Sequence, residues 1–126
     1  GAKDVNLIYT VTDSPLGRLL VAATDRGVSA VYLGDADGPL EAALREEYPA
    51  AERRRDDAGL IPTVQAILAH LEGRLPRLDL PVDVKATAFQ WKVWQALRAI
   101  PVGETRSYGE IAKAVGRPAG ARAVAR

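Results

Sequence analysis

The chain of 126 residues contains no cysteine, no methionine and a single histidine. The absence of cysteine excludes disulfides, cysteine-rich zinc sites and a thiol nucleophile within these residues. No apolar run approaches the length that spans a bilayer, and the opening residues 1–4 lack the apolar region of a signal peptide. With 48% hydrophobic and 26% charged residues, we expect a folded, cytoplasmic protein without a membrane partner.

Patterns typical of catalysis or cofactor binding are also missing. Ser14, Ser29 and Ser107 have no base at a spacing that would activate them, and the sequence has no glycine-rich phosphate loop. His70 has no second histidine, cysteine or carboxylate spaced to cooperate with it, so we interpret it as a surface residue or a helix C-terminal dipole partner. The sequence therefore predicts neither a metal site nor a cofactor.

The net charge of +1 is unevenly distributed. Residues 1–85 hold ten Lys and Arg against fourteen Asp and Glu, whereas residues 86–126 hold seven against two. A local basic surplus favours contact with nucleic-acid phosphates, although a solvated basic helix face explains the same numbers. The triplet Arg53–Arg55 has acidic neighbours in a polar, aperiodic stretch, and we interpret it as solvated charge rather than a DNA contact.

Residues 1–85 have the pattern of a small sheet packed with helices. Three β-rich runs separated by turn residues predict an antiparallel meander: 7–12, 16–24 and 27–33. Helical spacing of apolar residues predicts two helices: 40–48 and 60–71. The polar stretch 50–59 is predicted to be a surface loop, and 73–84, which contains two prolines, an extended linker. We place a domain boundary near Lys85.

A helix-start signature follows this boundary. Thr87–Gln90 has the Thr-x-x-Gln form of a capping box, and apolar residues at helical spacing then predict an amphipathic helix that ends at Ile100. Two tryptophans lie on or beside the apolar stripe. Trp94 is predicted to pack in the core, and a stacking platform for nucleic-acid bases at Trp91 or Trp94 is the alternative.

A second helix-start signature follows further along the chain. Ser107–Glu110 has the form Ser-x-x-Glu and predicts a second, short helix that ends at Gly116. Pro118 suits the first position of a third helix, which carries Arg122. A short helix, a glycine-containing turn and a helix of small residues with arginine are typical of a DNA-binding helix-turn-helix. Many helical proteins contain a similar corner, so this pattern is only moderately specific.

The C-terminal segment is similar in detail to one protein family. The matching stretches are Thr87–Phe89, Val93–Pro101, Gly103–Thr105, Ser107–Tyr108, Ile111–Ala112, Gly116–Pro118 and Ala121–Val124. Together they closely resemble the O6-alkylguanine-DNA alkyltransferases, and Ser14–Gly17 and 27–34 extend the resemblance over nearly the whole chain. It implies an α+β fold. A ribonuclease H-like domain at 1–85, with a three-stranded antiparallel sheet and helices, precedes the front part of a helix-turn-helix DNA-binding domain at 86–126.

The resemblance implies a suicide DNA-repair protein that takes an alkyl group from O6 of guanine, or O4 of thymine, onto its own cysteine. Its partner would be double-stranded DNA carrying O6-alkylguanine, bound by a monomer without a cofactor. The recognition helix would enter the minor groove, and the damaged nucleotide would be flipped out at a cost of a few kcal/mol.

By position, Arg122 matches the family arginine that inserts where the flipped base has left. Tyr108 matches the tyrosine that crowds the adjacent phosphate and borders the guanine pocket. The predicted DNA-binding residues are Ser107, Tyr108, Arg117, Gly120, Ala121, Arg122 and Ala125.

The chemistry of the third helix agrees with these roles. Its small residues allow a close approach to a groove floor, while Arg122 supplies one long cationic side chain. Without the resemblance, Arg122 is interpreted as a phosphate contact or a solvent-exposed residue, and Tyr108 as a packed aromatic. Gly109 stands where relatives often have glutamine, and Arg117 where many have asparagine or lysine, which puts individual backbone contacts in question.

The family nucleophile lies in a Pro-Cys-His-Arg segment that is absent from these 126 residues. Three hypotheses follow. The chain is the front part of an active alkyltransferase that lacks its catalytic tail, a non-enzymatic lesion-binding module like the alkyltransferase-like proteins, or a scaffold fragment that needs a second fragment. The first is favoured because the helix from Ala119 is too short to be stable alone. The chain by itself is predicted to be inactive, since it has no cysteine to accept the alkyl group.

Overall fold

The computed structural model describes residues 6–99. Within this range, a four-stranded sheet packs with three α-helices. The two helices predicted after Ser107 lie outside the described residues. No helix in the described range is long and apolar enough to cross a membrane.

The first three strands form a meander, as predicted. They are β1 (Asn6–Ser14), β2 (Gly17–Thr24) and β3 (Gly27–Gly34), and each pairs antiparallel with the next. Gly17 and Gly27 begin β2 and β3 with φ of 117° and 141°, a region that favours glycine. β2 and β3 are buried along most of their length, so both of their faces are covered.

A fourth strand, β4 (Glu52–Arg55), lies where a surface loop was predicted, and that prediction is wrong. The strand pairs in parallel with the first half of β1, which gives the sheet order β3-β2-β1-β4. The residues of β4 are largely exposed, so they show no alternation of apolar and polar residues that would indicate a strand. The strand forms because it pairs with β1, which is distant in sequence. Two of its arginines are exposed and ion-paired, with Arg54 lying 3.5 Å from Asp56 and Arg55 lying 2.9 Å from Asp57. Arg53 is half-buried and donates to the carbonyl oxygens of Tyr48 and Ala51.

The three helices are α1 (Asp37–Glu47), α2 (Ile61–Leu71) and α3 (Ala88–Arg98). α1 begins three residues earlier than predicted, because Gly38 and Pro39 are accommodated in its first turn, where a proline interrupts no helical hydrogen bond. A 3-10 turn at Ala58–Leu60 leads into α2. α3 ends two residues before the predicted Ile100.

The segment predicted to be an extended linker is bound to the free edge of β3. The amide of Val28 donates to the carbonyl oxygen of Pro81 at 2.9 Å, and the amide of Asp83 donates to the carbonyl oxygen of Val28 at 2.8 Å. These bonds form a parallel bridge between Val28 and Val82. Leu78 is buried nearby. We call residues 78–86 the strap, because they cross the edge of the sheet just before α3.

One apolar core connects the sheet with all three described helices. Its buried members include Leu19, Leu20 and Leu33 from the sheet, Leu40 and Leu44 from α1, Ile67 and Leu71 from α2, and Val93, Trp94 and Leu97 from α3. α3 packs mainly on β3. The helix that opens the predicted DNA-binding segment therefore shares a core with residues that precede Lys85.

Candidate functional site

The seven predicted DNA-binding residues all lie outside the described residues: Ser107, Tyr108, Arg117, Gly120, Ala121, Arg122 and Ala125. The described part contains α3, the first helix of their segment. Polar side chains from other elements hold both ends of α3. These contacts set where the predicted DNA-binding segment begins, and we treat them as the candidate site.

Thr87 determines the start of α3. It is the N-cap residue, in an extended conformation, and its Oγ1 accepts a hydrogen bond from the amide of Gln90 at 3.2 Å. This confirms half of the predicted capping box. The Gln90 side chain does not complete the box, since its Nε2 donates to Glu47 Oε1 at 2.7 Å and its Oε1 accepts from the amide of Val31 at 2.8 Å. The first turn of α3 is thus bonded to both α1 and β3.

Glu47, the last residue of α1, accepts three hydrogen bonds at this point. In addition to the Gln90 amide, Tyr32 donates its hydroxyl to Oε1 at 2.5 Å and Thr87 donates its hydroxyl to Oε2 at 2.6 Å. A carboxylate is favourable here because the N-terminus of α3 carries partial positive charge. Burial, reinforced by the negative charge of Glu47, raises the pKa of Tyr32. The Tyr32 phenol therefore remains a proton donor.

Tyr48 attaches the same helix start to β3. Its hydroxyl donates to the carbonyl oxygen of Ser29 at 2.7 Å and accepts from the amide of Thr87 at 3.3 Å. Burial raises the pKa of Tyr48 to about 12, so the phenol is neutral and serves as donor and acceptor at once. Sequence reasoning missed Glu47 and Tyr48. Their partner Thr87 lies 40 and 39 residues further along the chain, and no local pattern links them.

His70 holds the end of α3. Its side chain is buried, with 3% exposure, so the interpretation as a surface residue is wrong. Nδ1 lies 2.9 Å from the carbonyl oxygen of Leu75, and Nε2 lies 2.8 Å from the carbonyl oxygen of Leu97. The C-terminal ends of α2 and α3 meet at this ring. That contact spans 27 residues of sequence, and for this reason the local pattern around His70 did not predict it.

A buried aspartate binds the strap to the turn between β2 and β3. Asp83 accepts hydrogen bonds from the Thr24 hydroxyl at 2.6 Å and the Lys85 amide at 2.9 Å, and it pairs with Arg26 at 3.2 Å. Burial by itself raises the pKa of Asp83, but these three contacts outweigh it and hold the pKa below its ordinary value. An ionised Asp83 therefore fixes the strap just before α3.

The prediction that Trp94 packs in the core is confirmed. Its side chain is 3% exposed and lies in the core with Val93 and Leu97, which leaves no free face for a nucleic-acid base. Trp91 is half-buried. Among residues 6–99, no group of three or more His, Cys, Asp or Glu could hold a metal ion. The polar residues described above bind protein groups, so their role is to position α3 and the strap.

A mixed sheet that supports a helix held at both ends defines an α+β protein. Residues 7–84 match the family model of the 6-O-methylguanine DNA methyltransferase ribonuclease-like domain, and residues 88–126 match that of the same family's DNA binding domain. The chain belongs to the 6-O-methylguanine DNA methyltransferase family. This confirms the resemblance and the predicted fold class. The second match begins at Ala88, the first residue of α3.

Individual relatives are longer than this chain. The bifunctional transcriptional activator/DNA repair enzyme Ada of Escherichia coli is 44% identical over 125 residues, which cover 99% of this chain and 35% of that protein. The constitutive methylated-DNA–protein-cysteine methyltransferase of Bacillus subtilis is 36% identical over 116 residues, 92% of this chain and 68% of that protein. The crystal structure of Mycobacterium tuberculosis O6-methylguanine methyltransferase is 34% identical, with a TM-score of 0.49 and coverage of 94% of this chain and 67% of that chain.

Proposed function

We propose that the chain acts in direct-reversal DNA repair, in which an alkyl group moves from O6 of guanine to a protein cysteine. The consecutive match of both family domains, over 7–84 and 88–126, carries this proposal. In the reaction a thiolate attacks the alkyl carbon, a carbon–sulfur bond forms and the bond between that carbon and O6 breaks. The base keeps the electron pair of the broken bond, takes up a proton and remains in the DNA strand as ordinary guanine. The 126 residues contain no cysteine, so they contribute recognition of the DNA rather than the acceptor thiol.

The two parts of the chain have different tasks in this proposal. Residues 1–85 form the structural domain, and residues 86–126 bind double-stranded DNA that carries O6-alkylguanine, as a monomer. The basic surplus of residues 86–126, seven basic residues against two acidic ones, supports DNA binding there. The anchoring of α3 at both ends supports a rigid attachment of the DNA-binding part to the sheet.

Arg122 and Tyr108 carry the recognition of the lesion. Flipping a nucleotide out of the duplex costs a few kcal/mol of stacking and pairing energy. Arg122 offsets part of this cost by filling the space that the base leaves, while Tyr108 crowds the adjacent phosphate and borders the pocket. The small residues Gly120, Ala121 and Ala125 allow the helix to approach the minor groove closely, and Ser107 and Arg117 contact the DNA beside it.

A chimeric protein tests the proposal. In it, this chain replaces the aligned 125 residues of Escherichia coli Ada, which provides the acceptor cysteine. We expect loss of O6-methylguanine from a duplex together with a protein mass gain of one CH2. The same chimera with the acceptor cysteine changed to serine is the control for mass gain.

Two other outcomes separate the alternatives. A chimera that binds the alkylated duplex selectively without gaining mass would support a non-enzymatic lesion-binding module. A chimera that melts cooperatively but binds alkylated and unmodified duplexes with equal affinity would contradict the proposal.

A further inference from the structure

The hydrogen bonds of His70 define its protonation. Both ring nitrogens lie within 2.9 Å of a backbone carbonyl oxygen, Leu75 O for Nδ1 and Leu97 O for Nε2. A carbonyl oxygen can only accept, so each ring nitrogen must donate. A neutral imidazole has one N–H, and its other nitrogen would place a lone pair against an oxygen lone pair. Two donated hydrogen bonds require the imidazolium.

The backbone around the ring presents partial negative charge. His70 lies in the last turn of α2, and Leu97 O is among the last carbonyls of α3, so the ring lies at the negative ends of two helix dipoles. α2 carries no other charged side chain. Glu72 and Arg74, which follow α2, pair with each other, and Lys92 and Arg98 on α3 are exposed. Among residues 6–99, the ring is therefore stabilised by backbone carbonyls rather than by a carboxylate.

The position of this contact gives it a functional consequence. Leu97 is one residue from the last residue of α3, and the matched DNA-binding domain runs from Ala88 to the end of the chain. The orientation of the last turn of α3 sets the direction in which the chain leaves toward Tyr108 and Arg122. A contact that fixes this turn on α2 also fixes that direction relative to the sheet.

We propose that His70 is a doubly protonated positioning residue that holds the end of α3 on α2 and thereby orients the DNA-binding segment. The part about DNA rests on the proposed function, whereas the protonation and the contact with α3 do not. His70 does not touch DNA in this proposal; it acts through the carbonyl of Leu97.

Nuclear magnetic resonance tests the protonation directly. His70 is the sole histidine of the chain, so labelling histidine with nitrogen-15 gives one imidazole ring to observe. We expect two protonated ring nitrogens at neutral pH, each with a slowly exchanging N–H proton. A neutral ring with one protonated nitrogen at neutral pH would overturn the proposal.

Two variants separate the contact with α3 from the local contact. In His70→Gln the amide nitrogen takes the place of Nε2 and retains the bond to Leu97 O. In His70→Asn it takes the place of Nδ1 and retains only the bond to Leu75 O. We expect backbone amides of the last turn of α3 to exchange with solvent about tenfold faster in His70→Asn than in His70→Gln, which corresponds to about 1.4 kcal/mol. Equal exchange rates in the two variants would overturn the positioning role.

Binding to a duplex that contains O6-methylguanine tests the link to DNA. We expect His70→Asn to bind about tenfold more weakly than the unchanged chain, and His70→Gln to bind within about twofold of it. Equal affinities of all three proteins would overturn the orientation of the DNA-binding segment by His70. If the unchanged chain itself shows no preference for the alkylated duplex, the proposed function fails, while the imidazole and exchange measurements still decide the state and contact of His70.

Discussion

Thr87 and Glu47 show how single polar side chains hold the start of α3. The Thr87 hydroxyl accepts from the first turn of its own helix and donates to Glu47 on α1. Glu47 in turn accepts from Tyr32 on β3. Each group thus serves two elements, and the loss of one hydroxyl removes a helix cap and a bond between helices together.

We predict that Thr87→Ala lowers the free energy of unfolding by about 2 kcal/mol. The lost N-cap accounts for about 1 kcal/mol, and the remainder comes from the Glu47 oxygen that loses its donor. Urea unfolding of the two proteins measures the difference. Thr87→Ser retains the hydroxyl and should lie within about 0.5 kcal/mol of the unchanged protein. An alanine variant as stable as the serine variant would show that the hydroxyl contributes nothing.

A second prediction for a single residue concerns Arg122, whose role in nucleotide flipping rests on the proposed function. In the chimera described above, we predict that Arg122→Ala slows methyl transfer from duplex DNA at least about tenfold, equivalent to about 1.4 kcal/mol. Transfer from a single strand should change little, because an unpaired nucleotide needs no flipping. Arg98→Ala is the matched control, since Arg98 is an exposed residue of α3 and should leave both rates unchanged. Equal duplex rates for the unchanged and Arg122→Ala proteins would contradict the role.

Among the strands and helices, those that have a local sequence pattern of their own were predicted. The strands of the meander and the three helices have their own apolar spacing and turn residues, and they were found. β4, the strap and the burial of His70 depend on partners far away in the sequence, so no local window indicates them. For the site, residue patterns predicted a helix-turn-helix, and only the family resemblance assigned roles to Tyr108 and Arg122.

The close approach of the strap to β3 gives a test at Gly27. A Cβ at this position would lie 2.6 Å from the carbonyl oxygen of Pro81, and φ is 141°. We predict that Gly27→Ala lowers the unfolding free energy by about 2 kcal/mol or more, through a clash and backbone strain. Gly38→Ala is the control, because nothing lies within 4 Å of its added Cβ and it lies in α1. It should raise stability by about 0.5–1 kcal/mol.

The attachment of the strap by Asp83 should depend on pH. Its pKa is below the ordinary value of 3.8, so the stability that it contributes is present above that value and is lost as the pH falls through the lower folded pKa. We predict that Asp83→Asn costs about 2 kcal/mol at neutral pH, and that the difference disappears in acid. Thermal unfolding across this range measures it. A difference that does not change with pH would contradict an ionised, hydrogen-bonded Asp83.

At the scale of the whole molecule, the shared core makes α3 and the sheet interdependent. Val93, Trp94 and Leu97 pack in the same cluster as Leu19 and Leu20 of β2. Removing α3 would uncover this apolar surface. Residues 6–99 should therefore fold and unfold cooperatively, as one unit.

We predict a single unfolding transition. In a Trp91→Phe variant, Trp94 is the remaining tryptophan and its fluorescence reports on α3, while far-ultraviolet circular dichroism reports on all described elements. Both signals should change at the same urea concentration. Leu97→Ala should shift both together, with a loss of about 2–5 kcal/mol. Separate midpoints for the two signals would show that α3 unfolds independently.

The two edge strands of the sheet affect whether the protein aggregates when many copies are made. Strand borders with free backbone groups promote aggregation, and proteins suppress this by covering them or by placing charges there. Here the strap bonds to β3 at Val28, and β4 carries three consecutive arginines. In the proposed function each protein molecule is consumed by one lesion, so a new copy must be synthesised for each event. A sheet whose two edge strands are protected suits such repeated synthesis, because newly made copies are less able to pair edge to edge and form fibrils.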